Sequence, residues 1–205
     1  MPNNSDKIQA IIFDMGNVFV DFEWEQVCHG FCQVFEIDAE AFKPILRHIS
    51  TLGYETGHID TAGLLKEVEK LTQKTIAEEH FHTLWNATFR ENQTMAELLP
   101  RLKEKFPLYL LSNTNESHWN YLENTYNVSR HFDELVLSYE VGYAKPHDEI
   151  YLAAIKHTGK QAVECLFVDD LTANIEAADR LGLKTHLFTT PEKFQDSLKQ
   201  FGIDL

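Results

Sequence analysis

Five short apolar runs punctuate the chain: Ile8–Phe13, Leu108–Ser112, Leu135–Ser138, Cys165–Val168 and Leu183–Phe188. Each is nearly continuous rather than alternating, the pattern of a strand covered on both faces, as in a parallel sheet. Helical spacing fills the gaps between the later runs. Met95, Leu98, Leu99, Leu102 and Phe106 form one stripe, with Pro100 inside it as a point of kinking. Ile150, Tyr151, Ala154 and Ile155 form a second, with Gly159 just past its end. Leu171, Ile175, Ala178 and Leu181 form a third, stopped by Gly182. Strands alternating with helices predict an α/β fold, a doubly wound, Rossmann-like parallel sheet.

Residues 23–90 break this rhythm and hold no convincing strand. Leu64, Leu65, Val68 and Leu71 share a helical face after Asp60, a candidate N-cap. Thr75 with Glu78 matches a capping box, and Phe81, Leu84 and Trp85 follow at helical spacing. The expected organisation is therefore a core of residues 1–22 and 91–205, interrupted by a helical cap over 23–90. An insertion at the carboxyl end of the first strand would sit over the ligand crevice of such a sheet.

Composition narrows the function classes. The 205 residues are 43% hydrophobic and 24% charged, as in a globular protein, and the formal net charge is −14. That balance argues against a generic nucleic-acid or anionic-membrane binder, which needs clustered Lys and Arg. It leaves room for a small anionic substrate, because one lysine and one metal ion can invert the field locally. The start, MPNNSDK, has no apolar leader segment, and no run is long enough to span a bilayer, so a cytoplasmic protein is expected. Cys28, Cys32 and Cys165 read as reduced thiols, since no second ligand pair completes a zinc site.

Polar residues close the apolar runs in a telling order. The first run ends at Asp14, the second at Ser112 and Asn113 in LLSNTN, and the fourth in CLFVDD with Asp169 and Asp170, followed by Asn174. Lys145 precedes Pro146 in VGYAKPHDE. Singly, each has an ordinary reading as turn residue, cap or helix start. Together, at strand ends that converge on one crevice, they suit phosphoryl transfer. Three carboxylates would repel one another unless a divalent cation sat among them, and Mg²⁺ is a hard ion suited to carboxylates and a substrate oxygen. Asp14, Asp169, Asp170 and the Gly16 carbonyl are the candidate metal ligands, and Asp14 is also the candidate nucleophile. Ser112, Asn113 and Lys145 are candidate phosphate-binding groups, with Lys145 also offsetting charge on Asp14. Asn174 would orient the Asp170 side of the site.

FDMGNV, LLSN, AKP and FVDD with Asn174 resemble the ordered motifs of the haloacid dehalogenase-like (HAD) hydrolase superfamily, in the subgroup with a helical cap after the first strand. FDMGNVFVD, LLSNTN and YETGHID resemble most the sugar-phosphate phosphatases of the glucose-1-phosphate phosphatase type. The resemblance implies a phosphomonoester phosphatase acting on a small phosphorylated metabolite, through an aspartyl-phosphate on Asp14. It also marks the loop around Gly53 and Gly57 as a specificity loop, with Arg47, His48, Tyr54, Glu55 and His58 as cap residues able to face the crevice. The sequence departs from the family's phosphatases at Gly16, where a second Asp usually serves as general acid and base. A good leaving group such as an anomeric hydroxyl, or a substitute carboxylate such as Asp21, would answer that loss. A silent relative that binds a phosphorylated metabolite, and a 2-haloacid dehalogenase, are the competing readings.

Overall fold

The computed structural model describes residues 7–205. Met1–Asp6, which include most of the start read above as lacking a leader segment, lie outside them. Five parallel strands form the central sheet: β1 (Ala10–Phe13), β4 (Leu108–Ser112), β5 (Glu134–Leu137), β6 (Cys165–Asp169) and β7 (Lys184–Leu187), in spatial order β5-β4-β1-β6-β7. The chain builds outward from β1 in one direction and then in the other, so a switch point lies beside β1. This is the doubly wound α/β arrangement expected, and its carboxyl ends open on one crevice.

Side-chain period two explains the apolar runs. Ile11, Phe13, Leu108, Leu110, Leu166 and Val168 pack on one face with helix α5 (Gln93–Lys103) and α10 (Pro191–Leu198). Ala10, Ile12, Tyr109, Leu111, Cys165 and Phe167 pack on the other with α8 (Asp148–Thr158) and α9 (Thr172–Arg180). With both faces covered, every position in a central strand must be apolar. The edges differ. Glu134 is exposed at the start of β5, and all of β7 is partly open, with Lys184, Thr185 and His186 half-buried. Polar side chains there blunt a free edge.

Several local expectations shift. Ser138 is not the end of β5 but the first residue of the short helix α7 (Ser138–Val141). Leu171 is not part of the α9 stripe: it precedes the helix and is 55% exposed. Helix α5 runs continuously through Pro100.

Between β1 and α5 lies the helical insertion. A tight turn through Asn17, at φ 52°, reverses the chain, and β2 (Val20–Asp21) then pairs antiparallel with β3 (Arg90–Glu91). This two-strand stem carries α1 (Trp24–Phe35), α2 (Ala39–Thr51), α3 (Thr61–Thr72) and α4 (Glu78–Trp85). The four helices bury a cluster of their own, including Phe31, Phe35, Phe42, Leu64, Phe81 and Trp85. Asp60 caps α3 by accepting from the Gly63 N–H at 2.7 Å, as expected. The Thr75–Glu78 capping box does not form: Ala77 occupies the N-cap of α4, and Glu78 is already the first helical residue.

The insertion touches the core at a second place, the 3₁₀ turn Tyr54–Thr56 between α2 and α3. Gly53 and Gly57 flank it at φ 73° and 70°. A Cβ on Gly57 would lie 2.3 Å from the Tyr139 carbonyl oxygen, so only glycine permits this approach. The Ser138 hydroxyl donates to the Glu55 carbonyl at 2.5 Å and accepts from the Thr114 N–H at 2.9 Å. Replacing Gly57→Ala is expected to push this turn off α7 and lower stability by about 1–3 kcal/mol. Urea titration with hydrogen exchange at residues 54–56 reads this, and an unchanged midpoint and protection would contradict it.

Candidate active site

Asp14 stands one residue past β1, held by its N–H donating to the Val168 carbonyl at 2.8 Å. Lys145, on the loop between α7 and α8, reaches it from across the crevice: Nζ lies 2.6 Å from Asp14 Oδ1 and 2.7 Å from Asp169 Oδ2. The lysine side chain is only 1% exposed. Asn113 fixes its backbone from both sides, accepting from the Lys145 N–H at 2.7 Å and donating to the Lys145 carbonyl at 2.9 Å. The Asn113 side chain is thus committed to positioning Lys145, and Ser112 is buried beside it at the end of β4.

Asp169 is fully buried at the end of β6 and accepts from Lys145, from the Leu171 N–H at 2.8 Å and from Asn174 Nδ2 at 3.0 Å to both oxygens. Asn174 therefore braces Asp169 and not the Asp170 side: from the first turn of α9 it faces back onto the strand end. Asp170 turns the other way, is half-buried, and accepts from Asn17 Nδ2 at 3.0 Å. Asn17 was not anticipated. Its signal was the Gly16-Asn17 turn itself, where Asn tolerates positive φ while its short amide stays free to bond.

Asp14, Asp169 and Asp170 each place an oxygen within 4.8 Å of the others. Hard oxygen donors at this spacing, with free lone pairs on Asp14 and Asp170, fit a hard divalent cation. Loss of hydration raises the Asp14 carboxyl to about 6, with Lys145 pulling it down and Asp169 pushing it up. For Lys145 burial opposes the charge, but Asp14 and Asp169 outweigh it and hold the ammonium above its ordinary value.

A cavity of about 420 Å³ opens between these strand ends and the insertion. Gly16, Ser112, Asn113 and Thr114 line its core side, and Trp24, Glu55 and Trp85 line the other, with Phe22, Phe89 and His118 between. A wider groove of about 740 Å³ continues into the insertion, walled by Arg47, Tyr54, Glu55 and His58. His48 lines neither space. Asp21 sits exposed on the stem opposite Arg90 and lines neither space.

A family model, "haloacid dehalogenase-like hydrolase", matches residues 8–182. The chain belongs to the haloacid dehalogenase-like hydrolases. Among characterised relatives, D-ribitol-5-phosphate phosphatase from Bacteroides thetaiotaomicron is 27% identical over 186 residues, covering 87% of this chain and 90% of that one. A HAD family enzyme from the same organism, solved with magnesium and inorganic phosphate, superposes with TM-score 0.80 at 29% identity, over 89% of this chain and 94% of that chain. A HAD-like hydrolase of Porphyromonas gingivalis shares the fold at TM-score 0.83 and 23% identity, over 97% and 99% of the two chains. No helix among the described residues of this hydrolase is long and apolar enough to cross a membrane.

His118, on the cavity wall, was not anticipated either. Asn115 caps α6 (Glu116–Tyr126) by accepting from the His118 N–H at 3.0 Å, which turns its amide nitrogen toward His118 Nδ1 at 3.2 Å. Nδ1 is therefore the acceptor and the ring proton sits on Nε2. The ring stacks on Trp85 and meets the edge of Phe89. Desolvation lowers its pKa from 6.5 to about 3. A histidine held neutral in the fold but free to charge when unfolded costs stability as pH falls. That loss begins near pH 6.5 and grows down to about pH 3. His118→Phe is expected to shallow this decline, so its stability relative to the parent rises as pH drops. Urea midpoints across that range measure it, and a pH-independent difference would contradict it.

Proposed function

We propose that this hydrolase is a Mg²⁺-dependent phosphatase of a small phosphomonoester, a sugar or polyol phosphate, working through an aspartyl-phosphate on Asp14. The observation that carries the reading is the buried group of Asp14, Lys145 and Asp169, with Asp170 beside it and Ser112 at the next strand end. The named activity of the B. thetaiotaomicron relative supports the substrate class, and the magnesium and phosphate bound by the structural neighbour support the ion. We further propose that the insertion over 23–90 acts as a cap that closes on the crevice and excludes water.

In this reading Asp14, Asp170 and the Gly16 carbonyl would hold the ion. Asp169, already saturated by Lys145, Asn174 and the Leu171 N–H, supports them from behind. Bound there, Mg²⁺ supplies Lewis-acid stabilisation of phosphoryl charge. The ionised Asp14 carboxylate attacks phosphorus in line with the leaving oxygen. Lys145 stays charged throughout and neutralises the phosphoryl group as it crosses to Asp14. Ser112 and the main-chain N–H of Asn113 bind phosphoryl oxygens, while the Asn113 amide keeps Lys145 in reach. Water then hydrolyses the aspartyl-phosphate and restores Asp14.

Phosphate release from sugar 1-phosphates, terminal sugar phosphates and pentitol phosphates tests the proposal. Release is expected with Mg²⁺, lost with EDTA, and lost in a folded Asp14→Asn variant. Turnover that survives EDTA or Asp14→Asn would overturn it.

A further inference from the structure

Position 16 has no side chain to protonate a leaving alkoxide, and nothing in the local structure demands a glycine there. Its φ is not positive, and an added Cβ would meet only Phe22 Cε1, at an ordinary 3.5 Å. A terminal phosphate ester leaves as a poor alkoxide, so the proton has to come from elsewhere. Asp21, the candidate acid on the return of this segment, is exposed and does not line the cavity, although Val20 and Phe22 on either side do.

One acidic residue lines the same space as Gly16 and Ser112. Glu55 lines the 420 Å³ cavity from the opposite side, and lines the adjoining groove as well. Its backbone is clamped. Ser138 donates to its carbonyl, and the close approach of Gly57 to Tyr139 pins the turn to the core. The side chain is free: no hydrogen bond or ion pair among the described residues holds the Glu55 carboxylate, and it keeps access to solvent. The charged or titratable groups around it are Lys145 from the core and Arg47 and His58 on the groove wall. Crowding by cap and core raises its carboxyl above the usual range, against the opposing pull of Lys145. The direction of that shift is the one a general acid needs.

We propose that Glu55, supplied by the cap, is the proton donor and acceptor that position 16 lacks. The inference rests on the phosphatase reading above. In the first step the Asp14 carboxylate forms a bond to phosphorus, the bond from phosphorus to the ester oxygen breaks, and the Glu55 carboxylic acid passes its proton to that oxygen. In the second step the Glu55 carboxylate takes a proton from water as the water oxygen bonds to phosphorus. The Asp14–phosphorus bond breaks, phosphate leaves, and both side chains return to their starting states. Because the fold brings the cap turn to the core, the proton is available only when the cap is seated.

The test compares the parent, Glu55→Gln and the double variant Gly16→Asp/Glu55→Gln with Mg²⁺, on p-nitrophenyl phosphate and on an alkyl phosphate such as a pentitol 5-phosphate. The Glu55 side chain holds nothing together, so the glutamine variant is expected to fold. On the alkyl ester it should lose about 10²–10⁴-fold in kcat. On p-nitrophenyl phosphate, whose leaving group needs no proton, it should give a rapid burst of nitrophenolate matched to enzyme concentration, followed by slow turnover. On the alkyl ester the alkaline limb of the rate profile, where Glu55 loses the proton it donates, should vanish while the acidic limb set by Asp14 stays, and Gly16→Asp should restore part of the alkyl-ester rate. An unchanged kcat, or a loss confined to KM, would overturn the assignment and leave Glu55 as a binding residue. A parent enzyme inactive on both esters would instead overturn the phosphatase reading and this inference with it.

Discussion

One ammonium buried between two carboxylates is the interaction on which the rest of the molecule depends. Lys145 lies 2.6 Å from Asp14 and 2.7 Å from Asp169, out of reach of water. Burying a charge costs several kcal/mol, so such a group persists only with close partners and a backbone that cannot drift. The Asn113 amide provides the second by gripping both main-chain polar groups of Lys145, and the Phe167 ring below Nζ, at 5.7 Å, adds a favourable face. With Asp170 counted, the cluster carries two negative charges more than it neutralises. In the proposed function a divalent cation among these carboxylates, together with Lys145, would offset that charge and let a chain of net charge −14 attract an anion locally.

The sheet exists to hold that cluster. Strands β1, β4 and β6 are adjacent in space, and their carboxyl ends supply Asp14, Ser112 and Asp169 from one crevice. The stem β2–β3 and the clamped turn Tyr54–Thr56 tie the helical insertion to the same crevice at two points. The first lies beside Gly16 in the chain, and the second brings Glu55 to the opposite wall. Position 16 and position 55 thus face one cavity although they belong to different halves of the molecule.

Much of this was legible in the sequence, for reasons that follow from burial. A central parallel strand covered on both faces must be apolar throughout, so β1, β4 and β6 announced themselves, and their polar termini marked the crevice. Edge strand β7 carries Lys184, Thr185 and His186 because one side is open, which weakens the same signal. The stem strands have two residues each, too few for any periodicity. The Thr75–Glu78 match failed because a capping motif is short enough to occur by chance, and the chain begins α4 later, at Glu78. Among site residues, Asn174 was read as bracing the Asp170 side, but its partner is Asp169, because that depended on which way two consecutive aspartates turn. Asn17 carried only the weak signal of a Gly-Asn turn, and His118 carried none. Their roles come from a positive-φ turn and from aromatic packing between the insertion and the core, both set by tertiary structure.

Covalent capture of the phosphoryl group is the most direct test of the central claim, that the buried pair with Lys145 makes Asp14 the nucleophile. The enzyme would be mixed with Mg²⁺ and a phosphomonoester, quenched in acid during turnover, and digested for peptide mapping. The phosphoryl group is expected on Asp14, in the peptide spanning IIFDMGNV, and absent from Asp14→Asn. Phosphate release with no acid-trapped adduct under single-turnover conditions, or an adduct on any other residue, would contradict it.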